Sequence, residues 1–189
     1  MARRPSKGKK LKKGILIYSE GQTERIYFEA LNRRFNASNI KVKPISIERQ
    51  SKALVTKALK RIKKNEDSKN LNIEQAISLA NKSKLGIKGQ LKIGFSNESF
   101  EVWLLSHFEN VLKYHSLTRK QTYQKLTTYL NVTDYEKLKA DENLGNLFVE
   151  LVKSAINIGI YFNQLPCQEM MQAPYTNLGW IVEEIYFQK

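Results

Sequence analysis

Apolar and polar positions alternate over the first half of the chain in a pattern typical of strands that are each followed by a helix. A short apolar run rich in β-branched residues predicts a strand over 14–19, and apolar residues at helical spacing predict a helix over 23–35. A second strand is expected over 40–47, where Pro44 suggests a position at the edge of a sheet. Further helices are predicted over 52–64 and 72–84, and a third strand over 91–95.

From residue 97 onwards the apolar spacing is helical to the end of the chain. Its strongest stripe repeats apolar residues at i, i+3, i+4 and i+7 between Asn97 and Leu112. The elements predicted here are a helix over 97–112, short helices opened by the capping boxes Thr118–Gln121 and Thr133–Glu136, a helix over 144–163 with Leu147, Leu151, Ala155, Ile158 and Phe162 inward, and a closing helix over 177–187.

These elements together predict an α/β fold. The three strands are expected to form a small, mostly parallel sheet flanked by helices, followed by an all-helical C-terminal half. Residues 1–13 hold almost nothing to bury and are expected to be disordered. The α/β core is therefore predicted over 14–112, with a helical region over 113–189 packed on it.

The net charge of +14 on 189 residues changes the picture, because it indicates a polyanionic partner. Seven basic residues lie in the first thirteen, and the remaining chain is still about +7. Nucleic acid is the simplest partner, and an anionic membrane surface is the alternative. The apolar run after the tail is too short for a signal peptide or a membrane span, so a cytoplasmic protein is expected. The predicted nucleic-acid contacts are Arg3, Arg4, Lys57, Lys60, Arg61 and Lys64.

The chain has few cysteines and histidines but many carboxylates, which limits the kinds of metal site that it can form. Cys167 is the single cysteine, which excludes an intramolecular disulfide and fits a reducing compartment. Two histidines and one cysteine cannot build a zinc site of the usual kind. Any metal must therefore be held by oxygen ligands, which favours Mg²⁺ or Mn²⁺.

Acidic and amide side chains follow two of the predicted strands. Glu20 ends the first and Asn97 follows the last, and the carboxyl ends of parallel strands share one edge of a sheet. Glu101, one turn after Asn97, is expected to be half-buried and to need a metal, Lys or Arg partner. The alternatives are a solvated Glu20 in an ordinary strand–helix turn and a plain N-cap at Asn97. His107 lies within the apolar stripe, which favours a core residue over a catalyst.

Three stretches resemble one family, the RloB-like proteins. They are residues 17–24 (IYSEGQTE) with Tyr27-Phe28, similar to an "EGxTE…YF" opening, residues 96–108 (SNESFEVWLLSHF), similar to "SNPxFExWLLLHF", and residues 173–176 (APYT) before the last helix, similar to an "NPxT" ending. The similarity spans most of residues 14–187.

The resemblance implies a Toprim-like fold and a role in phage defence. Members are associated with phage-defence loci beside an AAA-type ATPase, in the manner of AbiLii-like abortive-infection proteins. Glu20 would be the Toprim glutamate, a general acid/base in phosphodiester chemistry, within a catalytic set of Glu20, Glu24, Asn97 and Glu101. Mg²⁺ would be held by Glu20 and by what remains of an Asp-x-Asp pair, Asp67.

The chain departs from the family pattern where that acidic pair should be. A hydrophobic strand ending in Asp-x-Asp is expected between the helices 52–64 and 72–84, but this chain has a polar stretch containing Glu66-Asp67. Position 98 is Glu where the family usually has Pro. Two classes of function follow: a metal-dependent nuclease with an impaired site, or an inactive nucleic-acid-binding or regulatory subunit of an ATPase complex. A homo-oligomer is compatible with both.

Overall fold

The computed structural model of the chain describes residues 13–19, 21–35, 40–46, 73–139, 141–164 and 174–187. Several of the sequence predictions lie outside these ranges. They are the basic tail up to residue 12, Glu20, the helix over 52–64 with its lysines, and Asp67.

The first strand, helix and second strand form as predicted. β1 (Lys13–Ser19) and β2 (Ile40–Ser46) run parallel and are paired along all seven residues of each strand. Between them in the chain lies α1 (Gln22–Phe35), which buries Tyr27 and Leu31 in the core. The sequence pattern is enough to predict these elements, because each strand or helix has its own hydrophobic period and packs its apolar face on the next element along the chain.

The predicted third strand does not form, so a three-stranded, mostly parallel sheet is wrong for the described chain. Instead β3 (Ser96–Asn97) pairs antiparallel with β4 (Tyr175–Thr176), and the C-terminal half is therefore not wholly helical. The Asn177 side chain accepts a hydrogen bond from Phe95 N at 2.8 Å and donates one to Ile93 O at 3.1 Å. Because this amide takes backbone bonds that a neighbouring strand would need, the stretch stays outside a sheet.

The remaining described elements are helical. They are α2 (Ile73–Lys82), α3 (Lys84–Ile87), α4 (Phe100–Leu105), a 3-10 turn (Val111–Lys113), α5 (Arg119–Tyr129), α6 (Tyr135–Leu138), α7 (Asn146–Val149), α8 (Val152–Asn163) and α9 (Leu178–Tyr186). The helices predicted over 72–84 and 177–187 are confirmed to within two residues at each end. Of the helices in the described ranges, none is long and apolar enough to cross a membrane.

The helix predicted over 97–112 is much shorter than its apolar stripe. Asn97 belongs to β3, so the N-cap position falls on Ser99, whose side chain makes no capping hydrogen bond. At the other end His107 and Phe108 bond to carbonyls three residues back, which closes α4 with 3-10 turns. The prediction that Asn97 caps this helix is therefore wrong.

One of the two predicted capping boxes is present. Thr118 and Gln121 make both reciprocal bonds at the start of α5. At α6 the cap is Asp134, whose carboxylate accepts from Glu136 N at 2.9 Å, and not Thr133. An aspartate is a better N-cap than a threonine, and it stands one residue later.

The long helix predicted around residue 150 is divided into α7 and α8. Leu147 and Leu151 are 48% and 36% exposed, so the prediction that they point inward is wrong. The chain turns between the two helices, and the phase that would bury both leucines is not maintained. Downstream, Ala155 and Phe162 are buried and Ile158 packs against the core.

Helices α8 and α9 meet at two glycines so closely that no side chain fits between them. A Cβ atom on Gly159 would lie 2.2 Å from Gly179 N and 3.3 Å from the Trp103 side chain. A Cβ atom on Gly179 would lie 2.3 Å from the Ile156 carbonyl oxygen. The atoms that such a Cβ would meet first belong to the backbone, which cannot move aside as a flexible side chain can. The packing of α8 on α9 therefore depends on both glycines.

Gly159→Ala is expected to lower the free energy of unfolding by about 2 kcal/mol, because the helices must separate to admit the methyl group. The higher helix propensity of alanine offsets about 1 kcal/mol of a larger packing cost. Urea denaturation measures the change. Ser154→Ala, at an exposed position of the same helix, is the control, and equal stability of the two variants would contradict the close packing.

Candidate functional site

The first motif folds over the end of β1. Ser19 Oγ donates a hydrogen bond to Gly21 O at 3.2 Å. A Cβ atom on Gly21 would lie 3.0 Å from Glu24 Oε2, so the Glu24 carboxylate folds back from the first turn of α1 over this glycine. Glycine therefore lets a carboxylate approach the end of the strand. Glu20, between these residues, lies outside the described ranges.

The second motif contributes a buried carboxylate that is held by a lysine. Glu101, in the first turn of α4, is 3% exposed. Lys139, directly after α6, places its Nζ 3.0 Å from Glu101 Oε1. The same ammonium donates to the Tyr123 hydroxyl at 2.6 Å. Of the partners expected for Glu101, the structure therefore shows a lysine.

The Lys139 ammonium is partly buried and yet fully charged. Burial by itself would lower the pKa of Lys139, but the hydrogen bond with Tyr123 and the negative charge of Glu101 outweigh burial and raise this pKa above its ordinary value. At neutral pH the lysine therefore faces the Glu101 carboxyl group as an ammonium. Thr23 Oγ1 also donates to the Lys139 carbonyl oxygen at 3.4 Å, which ties the start of α1 to this segment.

Tyr135 lies between the two motifs. It is fully buried at the start of α6, and its hydroxyl makes no hydrogen bond of normal geometry within the described residues. Burial is the main cause that raises the pKa of this phenol, and the negative charges of Glu101 and Glu24 raise it further. Thr23 and Glu101 both contact Lys139, so the start of α1, which carries Glu24, and the start of α4, which carries Glu101, lie in the same region.

Asn97 and its neighbour are placed by strand and helix contacts. Asn97 lies opposite Tyr175 in the antiparallel pair of β3 and β4, two residues before Ser99, the N-cap of α4. The carboxylate of Glu98 accepts a hydrogen bond from Arg119 N at the beginning of α5. A carboxylate at this end of a helix opposes the positive end of the helix dipole. The Glu98 side chain therefore stabilises the start of α5. The proline that the family usually has at this position has no carboxylate for this contact.

His107 is a core residue. It is 3% exposed, with Nδ1 3.0 Å from Trp103 O and Nε2 3.0 Å from the Tyr27 hydroxyl. Burial lowers the pKa of His107 to about 4, so the imidazole is neutral at pH 7. Nδ1–H must then donate to the Trp103 carbonyl, and the Tyr27 hydroxyl donates to Nε2. The ring is committed to packing and to two internal bonds.

An open groove of about 730 Å³ runs between α5 and the start of α6. The residues that line it all carry polar or charged groups, and they are Arg119, Lys120, Tyr123, Gln124, Thr127, Thr128, Thr133, Asp134 and Glu136. The groove was not predicted from the sequence, because a polar helix face is usually just the side of the helix that faces solvent. The signal was the capping box at Thr118, which fixes where α5 begins and so which of its residues share a face.

The residues predicted to hold a metal or to contact nucleic acid lie largely outside the described chain. Within the described ranges no three His, Cys, Asp or Glu side chains are grouped as metal ligands would be. Glu101 is paired with an ammonium, and Glu20 and Asp67 are not described. The described residues therefore do not make up a Mg²⁺ ligand set.

Comparison with known protein families identifies the family of this chain. The model of the family described as RloB-like protein matches residues 15–185. This range includes both motifs around the buried ion pair and the strand β4 near the end of the chain. No curated protein and no solved structure matches the chain significantly.

Proposed function

Because the chain belongs to the RloB-like family, we propose that it is a cytoplasmic phage-defence protein that binds nucleic acid and acts with an AAA-type ATPase. Its nuclease-type site is impaired, so the chain alone cleaves slowly or not at all. The family resemblance supports the defence role, and the net charge of +14 supports a nucleic-acid partner.

The observation that carries this proposal is the ion pair between Glu101 and Lys139. Metal-dependent phosphodiester cleavage needs carboxylates that hold the cation with their oxygens. In this chain a buried carboxylate beside the first motif is already neutralised by an ammonium. A cation would have to displace that ammonium, and leaving either charge of a buried pair without its partner is costly.

A metal-dependent nuclease is the second candidate. It is favoured by the approach of Glu24 and Glu101 to Tyr135, since two carboxylates in one region are a start for an Mg²⁺ site. In that case Glu20 is the general acid/base, Glu20 and Asp67 are metal ligands, and Asn97 orients the phosphodiester. RNA, including tRNA, and DNA are both candidate substrates.

The test is to purify the chain with and without the ATPase and to incubate it with total RNA and plasmid DNA in Mg²⁺ or Mn²⁺. The proposal expects binding of nucleic acid and, for the chain alone, little cleavage that responds to Glu20→Gln. Robust Mg²⁺-dependent cleavage that Glu20→Gln abolishes would establish the second candidate instead. Light scattering of the same preparations tests for a homo-oligomer.

Deletion of residues 1–13 is expected to weaken nucleic-acid binding several-fold and to flatten its salt dependence. The tail carries seven basic residues including Arg3 and Arg4, and each phosphate contact adds to the slope of affinity against salt. Fluorescence anisotropy at several salt concentrations measures both quantities. Unchanged affinity and slope would show that the tail is not a contact, and replacing its basic residues with glutamine separates charge from length.

A further inference from the structure

The groove between α5 and α6 carries opposite charges at its two ends. Arg119 and Lys120 stand at the start of α5, with exposed side chains in no ion pair with another described residue. The Glu98 carboxylate is also at this helix start, where it accepts a hydrogen bond from Arg119 N. Asp134 and Glu136 stand at the start of α6. Tyr135 N donates to Thr127 Oγ1 at 3.1 Å, which holds the acidic end beside the C-terminal part of α5.

The two ends are separated by about the length of one nucleotide. Arg119 and Thr127 are eight residues apart on one helix, a rise of roughly 12 Å at 1.5 Å per residue. Thr127, Thr128 and Thr133 line the groove towards the acidic end. The Thr127 hydroxyl accepts from Tyr135 N, and the Thr128 hydroxyl donates to Gln124 O. Its volume of about 730 Å³ is within the range typical of small-molecule sites.

This charge pattern selects among nucleic-acid ligands. A phosphate backbone that crossed the whole groove would meet carboxylates at the far end and be repelled. A single nucleotide unit avoids this, because its phosphate can lie at Arg119 and Lys120 while its base lies at Asp134 and Glu136. Carboxylates accept hydrogen bonds and do not donate, so they favour the base edge that presents adjacent N–H donors, which is that of guanine.

The groove also leads to the buried ion pair. Tyr123 lines the groove, and its hydroxyl accepts a hydrogen bond from Lys139 Nζ, which in turn pairs with Glu101. A ligand that lies against Tyr123 is thus two contacts away from the carboxylate of the second motif.

We infer that the groove between α5 and α6 binds one nucleotide unit, with the phosphate at Arg119 and Lys120 and a guanine base at Asp134 and Glu136. This inference rests on the proposed nucleic-acid binding and names its site. The unit is either a free nucleotide or the end of a strand, since both present the same phosphate, sugar and base.

The experiment measures binding of GMP, AMP and UMP by calorimetry, and of short RNA with a 5′-phosphorylated or 5′-hydroxyl guanosine by fluorescence anisotropy. Arg119→Gln/Lys120→Gln is expected to weaken binding about tenfold or more. The control, Lys88→Gln/Lys153→Gln, removes the same charge at exposed positions outside the groove and should change affinity less than twofold. Asp134→Asn should reduce the preference for guanine without altering the salt dependence.

The measurements with nucleotides and with RNA distinguish the possible ligands. Tight binding of GMP identifies a free nucleotide, and binding of phosphorylated RNA without binding of GMP identifies a strand end. If the groove variant binds both GMP and phosphorylated RNA as well as the control does, the groove inference is overturned while the proposed function stands. If the wild-type chain binds neither nucleotides nor RNA, both are overturned. Circular dichroism of each variant confirms that it is folded.

Discussion

Lys139→Met is expected to lower the free energy of unfolding by about 3 kcal/mol, because it leaves the buried Glu101 carboxylate without a counter-charge. The carboxylate is almost entirely excluded from solvent, with a side-chain exposure of 4%. The lysine side chain is 32% exposed and therefore reached by water. The expected loss of stability is for this reason at the lower end of the range for broken buried ion pairs. Urea denaturation at neutral pH gives the value.

The control for this variant is on α6, the short helix that directly precedes Lys139. Lys137 is exposed, so Lys137→Met should change stability by less than about 0.5 kcal/mol. The double variant Glu101→Gln/Lys139→Met removes both charges and should recover much of the loss, because an uncompensated charge is worse than no charge. Additive losses in the double variant would refute the assignment of Lys139 as the counter-ion of Glu101.

The same variant bears on function. Once the ammonium is gone, Glu101 is a buried carboxylate in the region of Glu24, and a divalent cation becomes the natural replacement. Under the nuclease candidate, Mn²⁺ should stabilise the wild-type chain as well as Lys139→Met. Under the impaired-site proposal the ammonium excludes the cation, so Mn²⁺ should leave the thermal midpoint of the wild-type chain unchanged and raise that of Lys139→Met only.

The local parts of the fold were accessible from the sequence. The strand, helix and strand up to Ser46 are neighbours along the chain, and each carries its own hydrophobic period. The expectation that Glu101 needs a cationic partner came from burial alone. The identity of the partner could not be predicted, because Lys139 lies 38 residues away, directly after a short helix whose polar sequence gives no sign of burial.

The failures have two causes, a long-range strand pairing and a local break in a predicted helix. Ser96 pairs with Thr176, 80 residues later, and this pairing removes Asn97 from the helix and the preceding stretch from a sheet. No local period signals a two-residue strand. Leu147 and Leu151 fit an inward face only if α7 and α8 were one straight helix, and a turn between them broke that phase.

Acid is expected to destabilise the folded chain through His107 well before its carboxylates titrate. The pKa of His107 is about 4 in the fold, against 6.5 for an ordinary histidine. Above pH 6.5 the imidazole is neutral in both states and has no effect. Between pH 6.5 and 4 the unfolded state binds a proton that the folded state does not, so the free energy of unfolding falls as pH falls. From pH 7 to pH 5 the loss is about 2 kcal/mol, and by pH 4 it approaches about 3 kcal/mol.

Urea denaturation between pH 7 and pH 5 isolates this effect, because the window lies above the titration of ordinary carboxylates. His107→Gln can still accept the Tyr27 hydrogen bond, so it should fold with reduced stability at pH 7 and lose most of the dependence on pH. The other histidine, His115, is exposed, and His115→Gln should keep the full dependence of the wild-type chain. A pH dependence that survives in His107→Gln would mean that the acid sensitivity arises elsewhere in the chain. The His107 imidazole would then contribute to the core through its packing and its two hydrogen bonds, and not through its protonation.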